Sequence, residues 1–209
     1  MKSGSEQLER FLEAGWVMRI LVATLAVYLL LSVIFGILWS SEPEPFLVSQ
    51  VAAQHAEQNN TTVTTGYTTT VALMTVTQTL LDKSGGYLSN DVFPPGMWLD
   101  NIPRWEFGVL VQVRDLSRAM RKDFSRSQSQ STEDLDLAIA EPQFHFDNSS
   151  WALPDTEGEY RRGIDKLNAY VLRLADTNSR QSQFYARSDN LRTWLKDVET
   201  RLGSLSQRL

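Results

Sequence analysis

The chain has 209 residues, with 20 Lys and Arg against 25 Asp and Glu, and a net charge of −5. That balance gives no basis for nucleic-acid binding. It contains no cysteine, which excludes disulfides, cysteine–zinc sites and thiol catalysis.

Residues Ile20 to Leu38 form one run without a charge, ILVATLAVYLLLSVIFGIL. A bilayer core of about 30 Å needs roughly 20 apolar residues in a helix, and this run, extended by Trp16–Met18 and Trp39, has that length. A helix satisfies its own backbone inside lipid. Trp16 and Trp39 stand at the two ends, where amphipathic rings favour the headgroup level. The run exceeds the apolar core of a cleaved signal, and Leu38-Trp39-Ser40 is a poor cleavage site. An uncleaved anchor over 16–39 is expected, with the lipid bilayer as its partner. Lys2, Arg10 and Arg19 precede or open the span, and the next basic residue after it is Lys83. The positive-inside rule then leaves residues 1–15 in the cytoplasm and exports the rest. Ser32, Gly36 and Ser40 share one face of the span, a spacing that can support helix pairing and a homo-oligomer.

Residues 40–60 read as a linker and first exported segment, opened by the stiff Glu42-Pro-Glu-Pro45. A helical domain is expected over 61–209. Val71, Met74, Gln78 and Leu81 share a face, and Lys83 with Gly85-Gly86 ends the segment. The spacing predicts a helix from Tyr67 to Lys83. Gly85 to Asn101, GGYLSNDVFPPGMWLDN, is a long aromatic loop without periodicity, which is the mark of a functional loop or a packed connector. Pro103 suits a first helical turn. Trp105, Val109, Val113, Leu116, Met120 and Phe124 then form a stripe, predicting a helix to about Arg126.

A basic row, Arg114, Arg118, Arg121, Lys122 and Arg126, lies on the same helix. It can meet anionic headgroups or an acidic partner, or pair internally with Glu133–Asp136 or with Glu157 and Glu159. Ser125 to Thr132 is a polar low-complexity tract, and Gln143 to Pro154 reads as irregular, with aromatics capping the core. Two final helices carry Tyr160, Ile164, Leu167, Val171 and Leu174, then Phe184, Leu191, Leu195, Val198, Leu202 and Leu205. Their spacing is that of bundle seams. With a turn at Asp176–Ser179, they predict an antiparallel helical hairpin.

Several strings resemble one family. They are Leu80-Leu-Asp-Lys-Ser-Gly-Gly-Tyr-Leu-Ser-Asn-Asp-Val92, Pro94-Pro-Gly-Met-Trp-Leu-Asp-Asn101, Trp105-Glu-Phe-Gly-Val-Leu-Val-Gln-Val-Arg-Asp115, Phe124-Ser-Arg-Ser-Gln-Ser-Gln130, Gln183-Phe-Tyr-Ala-Arg-Ser-Asp-Asn-Leu191 and Arg201-Leu-Gly-Ser-Leu-Ser-Gln-Arg208. The sequence is identified as a member of the domain of unknown function 2333 family, uncharacterised single-pass inner-membrane proteins of Gram-negative bacteria. The resemblance implies an inner-membrane anchor and a mainly α-helical periplasmic domain. It implies no activity, catalytic residue or cofactor. It also implies that relatives continue past Leu209.

The residues themselves carry little chemistry. His55 and His145 show no metal spacing, and GxSxG, P-loop and GxGxxG patterns are absent. No metal or cofactor is expected, and the reading leans away from an enzyme. The expected role is structural or interaction-based, with an envelope protein as partner. Its surface is expected on the aromatic loop, at Tyr87, Asn90, Asp91, Trp98, Asp100 and Trp105. Two alternatives stand. One is a periplasmic peptidoglycan hydrolase using Asp91, Asp100 or Glu106 beside Trp98 and Trp105. The other is a ligand-sensing bundle with a pocket lined by the Thr-rich face.

Overall fold

The apolar stripes fold as helices because each has one face to hide and can hide it only against another stripe. The computed structural model describes residues 15–126, 132–176 and 182–207. The flanking Lys2 and Arg10, most of the Ser125–Thr132 tract, most of the Asp176–Ser179 turn and Leu209 lie outside them. Among the described residues the chain forms seven α-helices and no strand. They are α1 (Trp16–Trp39), α2 (Val48–Gln58), α3 (Tyr67–Asp82), α4 (Asn101–Ala119), α5 (Leu135–Phe144), α6 (Thr156–Ala175) and α7 (Ser188–Ser206). A π-helical turn, Met120–Phe124, extends α4.

Helix α1 is long and apolar enough to cross a membrane, and Ser32 is its one buried residue. The other helices form a bundle around α3 and α6. Helix α6 runs antiparallel to α5: Arg173 near its end holds Asp134 and Asp136 at the start of α5, while Gly163 near its beginning receives the ring of Phe144. Arg161 pairs with Asp82 at 2.7 Å and Thr64 bonds the Leu174 carbonyl, so α3 is antiparallel to α6 as well. Tyr67, Leu80, Leu110, Leu137, Tyr160, Leu167 and Tyr170 make a single core.

Two helices lie where the sequence suggested none. Helix α2 sits inside the stretch read as linker. It buries Ala52 and Ala56 against α3, and His55 bridges Tyr67 at 2.7 Å and Asn168 at 3.0 Å. Helix α5 starts on Asp134, whose carboxylate accepts from the Asp136 and Leu137 amides. It ends shortly past Pro142, which removes one N–H from the helical ladder.

The C-terminal seam takes a different partner from the one its spacing suggested. Residues 182–187 form a strap rather than the arm of a hairpin. Tyr170 bonds the Gln183 carbonyl, Phe184 stacks on Phe124 at 5.0 Å, and the Tyr185 amide bonds the Phe124 carbonyl. The π turn widens the helix end to meet this strap. Helix α7 is thereby carried onto α4, where Arg201 pairs with Asp115 at 2.7 Å, and Leu191, Leu195 and Leu202 stay about half exposed.

The helix contacts set opposite expectations for two glycines. A Cβ at Gly163 would lie 2.5 Å from the Phe144 ring, so Gly163→Ala is expected to cost about 1–3 kcal/mol by overpacking. Gly108, exposed on α4 with nothing within 4 Å, should gain about 0.5–1 kcal/mol on Gly108→Ala. Denaturant unfolding of the full chain in detergent measures both.

Candidate functional site at the anchor exit

The long loop is organised by one buried carboxylate. Glu106, on the first turns of α4, is fully buried and pairs with Lys83, itself almost fully buried. Its Oε1 also accepts from the Leu88 amide and its Oε2 from the Ser89 amide, both at 2.8 Å, and from the Ser89 hydroxyl. Lys83 in turn donates to the carbonyls of Leu80 and Gly86. Every charge in this knot has several partners, which is the condition for burying it.

Held this way, Asn90 and Asp91 face the loop that joins α5 to α6. The Asn90 amide donates to the Ser150 carbonyl at 2.9 Å and to Glu157 Oε2 at 2.7 Å. Asp91 packs against Gly96 so closely that a Cβ there would lie on its side chain. Burial pushes the Asp91 carboxyl above the usual carboxylate range, and Glu157 and Glu106 push it further. A cleft of about 550 Å³ opens over these groups. Trp39, Phe93, Trp151 and Leu153 line it together with Asp91 and Glu157. Trp151 is 65% exposed, Leu153 96% and Phe93 73%. The peptide bonds before Pro95 and Pro154 are both cis.

The tip of the loop lies on α1. Tyr28 donates to the Pro94 carbonyl at 3.0 Å. A Cβ on Gly36 would be 3.7 Å from Pro95 and 3.9 Å from Leu99. The Trp39 ring covers Gly85, and Asn101 donates to the Ser40 carbonyl at 3.2 Å. The small face at Ser32, Gly36 and Ser40 is thus covered from within the chain.

The structure divides the sequence-predicted surface. Asn90 and Asp91 line the cleft, and Trp98 is half exposed on the loop tip. Tyr87 is buried: its hydroxyl bonds the Asn148 carbonyl, and burial raises its pKa. Trp105 packs on the core, and Asp100 is exposed in an ion pair with Arg104. The three carboxylates offered for glycan hydrolysis therefore do not converge. Glu106 is spent inside the fold, Asp100 lies at the surface, and Asp91 faces Glu157 instead.

The basic row is largely turned inward. Arg114 bonds the carbonyls of Phe144 and Phe146, Arg118 meets Glu141 and His145, and Arg121 meets Glu133 and Glu141. Arg126 lies 3.7 Å from Glu133, while Lys122 borders a second cleft under α7. On the Thr-rich helix, the hydroxyls of Thr70, Thr75, Thr77 and Thr79 each donate to a carbonyl four residues back. Among the described residues no His, Asp and Glu cluster could hold a metal ion.

Trp151 and Leu153 were not singled out from the sequence, and Glu157 was read there only as a partner for the basic row, whereas it meets Asn90 and lines the cleft. A signal for them existed: Asp155 caps α6 through the Gly158 amide, so Trp151-Ala-Leu-Pro154 had to lie outside the helix.

A family model described as an uncharacterized protein conserved in bacteria, domain of unknown function 2333, matches residues 12–209. The chain belongs to that family. No curated protein and no solved structure matches it. In this domain of unknown function 2333 protein the match takes in the anchor, the loop and the cleft together.

Glu106→Gln keeps the size of the side chain and leaves Lys83 buried without its counter-charge. A loss of about 3–5 kcal/mol is expected, and Lys83→Met added to Glu106→Gln should recover part of it in a double-mutant unfolding cycle. Asp91 has the opposite sign. Its folded pKa is raised, so the folded state binds its proton more tightly than the unfolded chain, and the ionised form costs stability. That cost is present at pH 7 and fades as pH falls through the raised value toward the ordinary one. Asp91→Asn should therefore stabilise at pH 7 and lose that advantage in acid, as read by unfolding midpoints across pH 3–7.

Proposed function

We propose that this chain is a single-pass, membrane-anchored cell-envelope protein of structural or protein-interaction type. Helix α1 spans the inner membrane, with the N-terminus in the cytoplasm and the helical bundle in the periplasm. The outward-facing apolar surface of α1 supports the span, and the Lys2, Arg10 and Arg19 bias supports the orientation. The observation that carries the reading is the joint between anchor and bundle. Tyr28–Pro94, Gly36–Pro95, Trp39–Gly85 and Ser40–Asn101 fix the bundle against α1 rather than leaving it on a free tether.

The cleft over Asp91 and Glu157 is the surface we assign to an envelope protein partner. Its lining joins carboxylates, Asp91, Asp155 and Glu157, with the apolar Phe93, Trp151 and Leu153. A complementary segment carries a basic side chain flanked by apolar ones, the arrangement in which a desolvated charge and buried hydrophobic contacts act together.

Gentle-detergent purification of the tagged full chain from membranes, with crosslinking and mass spectrometry, tests this. The expected result is a stoichiometric partner crosslinked near Trp151 and Asp91. Its recovery should fall at least tenfold in Asp91→Asn/Glu157→Gln, with the unfolding midpoint not lowered. Recovery of the chain alone would overturn the reading.

A further inference from the structure

The tip of the aromatic loop is unusually apolar for a surface. No Asp, Glu, Lys or Arg occurs between Asp91 and Asp100. Phe93 points outward, and Val92, Met97 and Trp98 are each about half exposed. On a water-facing loop this is a liability, and nothing among the described residues covers it. Its position on α1 says what does.

Gly36, which receives Pro95, lies three residues before Trp39, and Tyr28, which receives Pro94, lies eleven before it. At the rise of an α-helix these levels are about 4.5 Å and 16 Å below Trp39 along the axis. The tip is held between them. Half the hydrocarbon thickness of a bilayer is about 15 Å, so a loop seated there is level with acyl chains whenever α1 crosses the membrane.

Several backbone groups of the tip find partners within the chain, as that environment favours. Backbone groups in lipid need partners from the protein. Pro94 and Pro95 have no N–H to satisfy. The carbonyls of Phe93, Pro95 and Gly96 accept from the amides of Met97, Trp98 and Leu99 at 3.2, 2.9 and 3.0 Å. The Pro94 carbonyl takes the Tyr28 hydroxyl. That bond serves both sides: a phenol in mid-span would otherwise lack an acceptor, and the carbonyl would lack a donor.

We infer that Val92–Leu99 is a second membrane element, a re-entrant tip inserted among the acyl chains beside α1, with lipid rather than protein against Met97 and Trp98, while Phe93 stays at the edge of the cleft. The inference rests on the proposed span of α1. It leaves the cleft at the bilayer surface, with Trp39 at the headgroup level and the Asp91 carboxyl at the boundary.

The native absence of cysteine makes the test direct. Met97→Cys and Trp98→Cys full chains are placed in phosphatidylethanolamine–phosphatidylglycerol vesicles. Leu30→Cys within α1 and Leu135→Cys, exposed at the far end of the bundle, serve as references. The expected result is labelling of Met97→Cys and Trp98→Cys by a membrane-impermeant maleimide at least tenfold slower than of Leu135→Cys. An environment-sensitive fluorophore attached to either should also be quenched by lipids spin-labelled on the acyl chain. If both label as fast as Leu135→Cys and escape quenching while Leu30→Cys stays protected, the span stands and the inserted tip is overturned. If Leu30→Cys also labels fast, the span itself fails and the inserted tip fails with it.

Discussion

The buried pair of Lys83 and Glu106 is the constraint on which the rest depends. Helix α3 ends at Asp82 and α4 begins at Asn101, so the chain must return over a long connection with no periodic pattern to pack it. A segment like this is ordinarily mobile, because its backbone groups find no regular partners. Here one carboxylate takes the Leu88 and Ser89 amides, and one ammonium takes the Leu80 and Gly86 carbonyls. The two charges offset the cost of each other's burial while they bend the backbone. A pair of apolar residues could fill the same space, yet it would leave four backbone groups without partners. The ionic solution is favoured because it satisfies the turn and fills the core at once.

From that knot the effects run outward. Asn90 is positioned to grip Ser150 and Glu157, which ties the α5–α6 connection to the loop. Asp91 is pressed on Gly96, which shapes the tip. The tip then meets α1 at Gly36 and Tyr28. A glycine at position 36 matters for its lack of a side chain rather than for backbone freedom, since Pro95 and Leu99 come to ordinary contact distance of the place a Cβ would occupy. A small-residue stripe in an anchor reads from sequence as a helix-pairing face. In this chain the same stripe serves a contact inside the molecule.

The sequence made the long elements legible and hid the short ones. Helices α1, α3 and α6 were readable because their apolar residues repeat over several turns and their ends carry Trp39, Lys83 with Gly85, and Asp155. Helix α2 was not, since its buried face is only Ala52 and Ala56 in a polar stretch. Helix α5 was obscured by Pro142. The C-terminal seam was read correctly as helix and mispaired, because a stripe states that a face is apolar and not which helix it meets. The strap that decides the pairing is held by Tyr170, Arg173 and Ser182 through bonds that no periodicity announces. At the site, Asn90 and Asp91 were legible from loop composition. Glu157 was not, for it enters the cleft from 66 residues away.

The joint also bears on how such a protein meets a partner. The connection between α1 and α2 spans only residues 40–47, and Glu42-Pro-Glu-Pro45 within it is stiff, so the bundle has little tether to explore. With the loop seated on α1 as well, further contacts restrain the orientation of the bundle. A freely tethered domain would lose that freedom on binding, and the loss would subtract from the affinity. On the proposed reading, a domain held against its membrane helix would present the cleft to a partner at a constant height and facing a constant way. The acidic and apolar lining of the cleft would then, on that reading, need only complementary chemistry on a partner in the same membrane. Weak contacts suffice under that condition, because confinement to one plane supplies the proximity that a soluble pair would have to gain by affinity.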